Sequence, residues 1–222
     1  MTQNNEQHLE ALQQIRTMME KSSRFISLSG LSGVFAGLIA LMGAAVVYVY
    51  LGVLPFVKTP GYYIVAQNYN KWGIDYRSFF LLVAMAVLVV ALAGGIFFTT
   101  RKARANGQKI WDALTQRLLI NLFIPLSAGG IFCLGLMYHG LVGLIAPSTL
   151  IFYGLALLNA SKYTFNDIRY LGICEILLGL FGIFFLGYGL DLWALGFGVL
   201  HIVYGMVMYW KYERTARNET QE

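Results

Sequence analysis

The sequence predicts an all-α membrane protein, a polytopic bundle of six transmembrane helices. Its 222 residues are 58% hydrophobic and only 12% charged, whereas about 25% of the residues of a soluble domain are charged. The apolar residues also form six blocks, each close to the ~20 residues that a helix needs to cross ~30 Å of hydrocarbon. The blocks are 26–54, 78–100, 118–138, 140–160, 170–189 and 190–210.

The polar N-terminal segment, residues 1–25, is predicted to be a cytoplasmic amphipathic helix. Apolar residues recur within it at helical spacing, while its three acidic and three basic residues balance. That balance argues against a polybasic lipid-binding helix. The segment therefore lies on the membrane or beneath the bundle, or forms a short coiled coil with a partner subunit.

The six-span domain is predicted over residues 26–212, followed by a cytoplasmic tail at 213–222. The first apolar block is too long for the core of a signal peptide, so we expect it to remain as a span. Small residues line this span, among them Ser29, Gly33 and Gly37. Such faces let helices approach closely, either within the bundle or at a homodimer seam.

The orientation of the bundle follows from its lysines and arginines. Thirteen of them fall on the side of the two termini and three on the other side. The positive-inside rule then places both termini in the cytoplasm of a prokaryote, with the spans in the plasma (inner) membrane. The net charge of +5 is mainly this topological signal, so we expect no nucleic-acid partner.

The connections between the spans differ in length. The outer loop, residues 55–77, contains four tyrosines and a tryptophan, which predicts an interfacial aromatic belt or, alternatively, a lid over an outward-facing pocket. The later outer turns, "YHG" and "GYGLD", are short and rich in glycine, which breaks helices. Pro125 and Pro147 fall inside the third and fourth blocks and are expected to interrupt them.

The three outward spans share a pattern that suggests three repeated hairpins. Each opens on an arginine that has a glycine thirteen residues later. In the last hairpin, "LFGIFFLGYG" is followed by "GFGVLHIVYGM", with two glycines seven residues apart. The glycines expected to pack helices together are Gly33, Gly37, Gly130, Gly182, Gly198 and Gly205.

This last hairpin resembles the HdeD-like family of six-span bacterial inner-membrane proteins. The resemblance implies three such hairpins, a link to acid resistance and no established enzymatic chemistry. It covers about 45 residues. The first two hairpins depart from the pattern, because Leu88 and Pro147 stand where the return span would carry its first glycine.

A carboxylate in the middle of the fifth span, Glu175, is the main candidate for function. Ionisable residues inside a membrane are costly and often functional. Measured from the nearest basic residues at ~1.5 Å per residue, Glu175 lies roughly 9 Å deep and Tyr204 roughly 10 Å deep. His201 lies one turn deeper and Asn121 slightly shallower, so these four residues are predicted to share one polar pocket. Asp191 and His139 fall at outer turns, where both are expected to reach water.

Three interpretations of this pocket remain open. A desolvated carboxyl group favours its neutral form, so Glu175 could donate a structural hydrogen bond to His201 or to a free carbonyl. Alternatively, Glu175 and His201 could handle protons or cations, as such residues do in transporters. Haem ligation by two histidines is the third interpretation, but His139 and His201 are expected at different depths.

No catalytic chemistry is evident in the sequence. It contains no HExxH, GxSxG or phosphate-binding loop. Cys133 and Cys174 lack metal or redox spacing, so we expect no catalytic residue, metal site or cofactor. The sequence favours a non-enzymatic inner-membrane protein with a structural, assembly or stress-related role, as a homo-oligomer or as the membrane subunit of a partner. The alternative is a small transporter or channel with its site around Glu175 and His201.

Overall fold

The computed structural model describes residues 29–57, 70–107 and 110–214. The predicted amphipathic helix at 1–25 and most of the predicted tail lie outside these residues. The described chain is all-α apart from one short hairpin. Its helices are α1 (Gly30–Leu51), α2 (Tyr76–Ala105), α3 (Ala113–Tyr138), α4 (Ile145–Ala160), α5 (Asp167–Phe184) and α6, which runs without a break through Gly189–Trp193, Ala194–Leu200, His201–Met208 and Tyr209–Arg214.

Five stretches of helix are long and apolar enough to cross a membrane. They comprise α1, α2, α3, the stretch Val142–Tyr163 around α4, and the stretch Leu186–Glu213 around α6. The remaining helix, α5, has 18 residues, which is near the lower limit of a spanning length. Its 18 residues include three charged ones, Asp167, Arg169 and Glu175, whereas each of the five longer stretches has an 18-residue window with at most two.

The six helices do not pack in chain order. α1 packs between α2 and α6, and α4 packs between α3 and α5, while α6 also contacts α4 and α5. The chain therefore brings its first and last described helices together. α2 and α3 stand at the outside of this arrangement, with most of their apolar side chains exposed, as expected for surfaces that face lipid tails.

Glycines form the seam between α1 and α6. A Cβ atom added at Gly33 would lie 3.2 Å from the Cα of Gly205, and one added at Gly37 would collide with the carbonyl of Gly198. The small-residue face of α1 is thus occupied within the chain by α6. Of the two roles predicted for this face, the structure shows packing within the bundle.

A second glycine seam joins α4 to α5. A Cβ atom at Gly154 would collide with the carbonyl of Gly172, and one at Gly172 would collide with that of Gly154. Neither glycine was among the predicted packing residues. Gly182 packs against Pro147 and Leu192. Gly130 differs from the prediction, because in the described part of the chain nothing lies within 4 Å of the position its Cβ would take.

The two prolines do not interrupt their helices. Pro147 lies in the first turn of α4, where a missing amide hydrogen costs nothing. Pro125 lies inside α3, and its missing N–H leaves the carbonyl of Asn121 without its normal partner four residues on. Asn159 of α4 donates its side-chain amide to this carbonyl at 3.2 Å, so α3 continues through the proline.

The two short turns that the sequence predicts on the outer side are built in different ways. The first follows the prediction, since Gly140 of "YHG" adopts a left-handed conformation with φ of +73°. The "GYGLD" turn instead passes through a short 3₁₀ helix, Leu186–Tyr188, and Gly189 has a right-handed helical conformation. The left-handed backbone at Gly140 therefore requires glycine, whereas the right-handed backbone at Gly189 does not.

The long loop before α2 contains a small antiparallel hairpin that the sequence did not predict. Its strands are β1 (Asn70–Lys71) and β2 (Ile74–Asp75). The two turn residues, Trp72 and Gly73, have φ of 60° and 73°, as in a type I′ turn. Aromatic packing holds the hairpin against the bundle. Tyr50 of α1 packs edge-on against Trp72 with ring centroids 5.6 Å apart, and its hydroxyl donates to the carbonyl of Ile74 at 2.9 Å.

Polar contacts tie the helices together at the end of the bundle where α1 begins and α6 ends, which we call the basic end. Glu213 of α6 accepts hydrogen bonds from the backbone amide of Gly30 at 2.6 Å and from the hydroxyl of Ser29 at 3.2 Å. It also pairs with Lys102 of α2 at 3.2 Å. Glu213 therefore caps α1 from another helix, because its carboxylate satisfies an amide that α1 itself cannot.

Candidate functional site

Glu175 occupies the centre of the junction between α4, α5 and α6. Its side chain is fully buried, with no exposed surface. Gly196 of α6 makes the necessary room, since a Cβ atom there would collide with Glu175 Oε2 and with Leu150. The carboxyl group is therefore held against the backbone of α6 and is shielded by apolar side chains.

His201 follows Gly196 on α6, five residues further along the chain, and is also buried. Its Nδ1 atom is 3.0 Å from the carbonyl oxygen of Gly196, and its Nε2 atom is 2.7 Å from the hydroxyl of Tyr153 on α4. Because a carbonyl can only accept, Nδ1 must carry a hydrogen. In the neutral imidazole, Nε2 then accepts from Tyr153, so the network fixes the tautomer.

Glu175 and His201 are close but not hydrogen-bonded. Glu175 Oε1 is 3.4 Å from His201 Nδ1, which is within the range of an ion pair. The Nδ1 hydrogen, however, is directed at Gly196. Within the described residues, neither carboxyl oxygen of Glu175 has a hydrogen-bond partner. A buried polar group in this state costs about 1–3 kcal/mol, so it calls for a functional or structural explanation.

The site coincides with an irregular stretch of α6. Residues Ala194–Leu200 are π-helical and lead directly into His201. Wider turns of this kind are rare and frequently occur at functional sites. Here the π-helical stretch contains Gly196, which both receives the hydrogen bond from His201 and leaves space for the carboxyl group.

No family model, curated protein or solved structure matches this chain. The geometry of the site is consequently the basis for interpreting its chemistry. The Nδ1 hydrogen of His201 has two acceptors within reach, the Gly196 carbonyl at 3.0 Å and Glu175 Oε1 at 3.4 Å. A small rotation of the ring would transfer this hydrogen bond from one to the other, and loss of the Glu175 proton would favour that rotation.

The other two predicted pocket residues make different contacts. Tyr204 packs on an apolar cluster that includes Leu157 and Met208. The side chain of Asn121 donates to the carbonyl of Arg117 in its own helix at 2.8 Å. The structure thus brings Glu175 and His201 together, whereas the hydrogen bonds described for Asn121 join it to α3 and α4.

Two residues of the site were missed from the sequence, Tyr153 and Gly196. A signal for Tyr153 was present. Tyr153 lies nine residues before Lys162, and His201 lies ten before Lys211, which places both roughly 14–15 Å from the basic end at 1.5 Å per residue. Gly196 had no comparable signal, because glycine is frequent throughout this chain.

A second buried carboxylate, Asp191, serves as a contrast. It was expected to reach water from its outer turn, but it is only 8% exposed. Its Oδ1 atom accepts from the hydroxyl of Tyr48 at 2.6 Å and from the backbone amide of Phe56 at 2.8 Å. Asp191 therefore fastens the end of α1 and the following loop to α6. His139 is exposed at its turn.

The described residues contain no group of three or more histidine, cysteine or acidic side chains placed to hold a metal ion. Cys133 and Cys174 are both free thiols. The chemistry that the described site can offer is therefore proton exchange among a carboxyl group, an imidazole and a phenol.

Proposed function

We propose that this chain is a six-span protein of the prokaryotic inner membrane, with both termini cytoplasmic, that binds and releases protons or cations at Glu175. In this proposal α5 is the sixth span, with Asp167 and Arg169 at the membrane surface. The excess of lysine and arginine at the basic end supports the orientation. The protein is non-enzymatic, with the six spans arranged as three repeated hairpins.

The observation that carries the proposal is the state of the Glu175 carboxyl group. A structural carboxyl group is normally satisfied by hydrogen bonds, as Asp191 is. Glu175 is more deeply buried than Asp191, yet both its oxygens lack a partner in the described chain. A site that exchanges a proton needs such a carboxyl group, because its protonated and ionised forms must be similar in stability. Hydrogen bonds that fix the carboxyl group in one form would prevent this.

The proposed cycle uses only groups of this chain. With its proton, Glu175 is neutral and His201 donates to Gly196. When the proton passes to the aqueous phase, the carboxylate attracts the Nδ1 hydrogen of His201, and the ring turns from Gly196 towards Glu175. The imidazole stays neutral in both states, so Tyr153 can donate its hydroxyl to Nε2 throughout. The HdeD-like resemblance of the last hairpin fits this role, since that family is linked to acid resistance.

Proton flux across a membrane tests the proposal. The purified protein is reconstituted into liposomes that contain a pH-sensitive dye, and a pH gradient is imposed. We expect the wild-type protein to dissipate the gradient and Glu175→Gln to abolish that flux. Asp191→Asn is the matched control, because it changes the other buried acid but keeps an acceptor oxygen. Absence of flux in the wild type, or equal flux in Glu175→Gln, would reject the proposal.

A second candidate function is a role in assembly, favoured by the surface of α3. Gly130 has open space around it, and neighbouring apolar side chains such as Phe123 and Ile131 are largely exposed. A small residue on an outward face allows another helix to approach closely. If the chain forms oligomers through α3, Gly130→Cys should form a disulfide-linked dimer in membranes, whereas Leu82→Cys on the exposed face of α2 should not.

A further inference from the structure

A cavity lies between the α1–α2 and α3–α4 hairpins, and neither Glu175 nor His201 lines it. It has a volume of about 260 Å³, and α6 closes its back with Leu190 and Trp193. Its walls are almost entirely apolar, and Leu81 of α2 and Leu134 of α3 lie on its rim. Both of these side chains are about half exposed. The cavity consequently opens between α2 and α3, towards the lipid.

The depth of the cavity matches one leaflet of a bilayer. On α2, its lining extends from Tyr76 and Arg77 at the start of the helix to Val87. Arg77 and Val87 are ten residues apart, which corresponds to roughly 15 Å along the helix axis. The hydrocarbon core of a bilayer is ~30 Å thick, so the cavity extends over about one half of it.

The outer end of the cavity carries a positive charge. Arg77 is the one Asp, Glu, Lys or Arg side chain among the described residues that line it, and it is exposed. Within the described residues, its guanidinium group forms no ion pair with an acidic side chain. Because arginine can bind phosphate in a bidentate manner, the arrangement of a cationic mouth above an apolar slot complements an anionic amphiphile.

We propose that this cavity is a binding site for one anionic phospholipid of the outer leaflet. One acyl chain lies in the slot between α2 and α3, and the headgroup phosphate contacts Arg77. The bound chain separates the two outermost helices and fills the space that the protein leaves between its hairpins. This site is independent of Glu175, so it stands or fails separately from the proposed proton chemistry.

Lipid binding to the full-length protein in detergent tests the site. The delipidated protein is titrated with phosphatidylglycerol or with phosphatidylcholine of the same chain length, and bound lipid is counted by native mass spectrometry. We expect saturation at one phosphatidylglycerol and weaker binding of phosphatidylcholine. Arg77→Gln should reduce the preference for phosphatidylglycerol about five-fold, since one basic residue near a lipid surface contributes about 1 kcal/mol.

Two alanines on α2 provide a matched pair for the acyl-chain slot. Ala84 lines the cavity and Ala86 does not, while both are exposed on the same helix. Ala84→Phe should fill the slot and abolish saturable binding, whereas Ala86→Phe should bind as the wild type does. Unaltered binding in Ala84→Phe, or equal binding of the two lipids by the wild type, would overturn the proposal. Size-exclusion profiles of both variants establish that they remain folded.

Discussion

Replacing Glu175 by methionine should stabilise the protein, although the residue is fully buried at the centre of three helices. Methionine is unbranched and similar in length, so it can occupy the same space. The substitution removes two buried oxygens that have no hydrogen-bond partner in the described chain. An unsatisfied buried group costs about 1–3 kcal/mol, and we expect the free energy of unfolding to rise by about that amount.

Replacing the other buried acid, Asp191, by an apolar residue should lower the free energy of unfolding. Asp191→Leu would leave the hydroxyl of Tyr48 and the backbone amide of Phe56 without their acceptor. That loss should lower the free energy of unfolding by about 1–3 kcal/mol. Two buried acids in one protein thus provide a comparison between a carboxyl group with hydrogen-bond partners and one without.

Thermal unfolding in detergent, followed by size-exclusion chromatography, measures both variants. For a chain of this size, 1 kcal/mol corresponds to about 2–4 °C in Tm. The reasoning is refuted if Glu175→Met lowers Tm as much as Asp191→Leu does, because the carboxyl group of Glu175 would then be a stabilising hydrogen-bond donor. In that case Glu175→Gln, whose amide can still donate, should restore most of the lost stability.

Infrared spectroscopy reports the state of the same carboxyl group directly. The difference between wild type and Glu175→Gln should contain a protonated carboxyl stretch at pH 5, because burial without a partner disfavours the charged form. An ionised carboxylate at pH 5 would contradict both the proton site and the neutral donor. It would instead require a cation as the partner of Glu175, with Arg117 and Arg169 as the side chains to test.

Three further predictions concern topology, a helix cap and a helix repair. A cysteine at Trp72 should react with an impermeant maleimide from outside intact cells and one at Asn106 should not, whereas labelling of both would reject the topology. A backbone hydrogen bond holds the pKa of Asp112, the N-cap of α3, below its usual range. The stabilisation that ionised Asp112 gives to the fold is therefore complete above the pKa of the unfolded chain, and it is lost as pH falls through the pKa of the folded protein. Asp112→Ala should therefore cost about 1 kcal/mol at pH 7 and little at pH 2, as measured by unfolding at both pH values. Asn159→Leu should cost about 1–3 kcal/mol by orphaning a carbonyl of α3, and Pro125→Ala should recover most of that loss by restoring the helical hydrogen bond; additive effects of the two changes would contradict the repair.

The helices were largely predictable because their cause is local. A long apolar block must satisfy its backbone hydrogen bonds internally when it meets hydrocarbon, and a helix does so. The two prolines were misjudged because their effect depends on the residues that surround them in the folded structure. Pro147 falls in a first turn, and Pro125 is compensated by Asn159 from another helix, which nothing in the local sequence reveals.

The candidate site was predictable in its charged members and not in its neutral ones. Glu175 and His201 stand out because ionisable residues are rare in apolar blocks. Tyr153 could have been found from its depth, but which helices face one another is set by packing between distant segments. The role of Gly196 depends on the absence of a side chain beside a particular carboxyl group, and composition alone could not identify it.

The glycine seam between α1 and α6 has a consequence for biogenesis. Gly33 and Gly205 meet across it, yet they are about 170 residues apart, and a ribosome adding about 5–20 residues per second needs roughly 10–35 s to make that length. During this interval α1 has left the ribosome with the groove that will receive α6 still empty. The α1–α6 seam can therefore close only after the last helix has been made, and until then the glycine face of α1 is available to other helices.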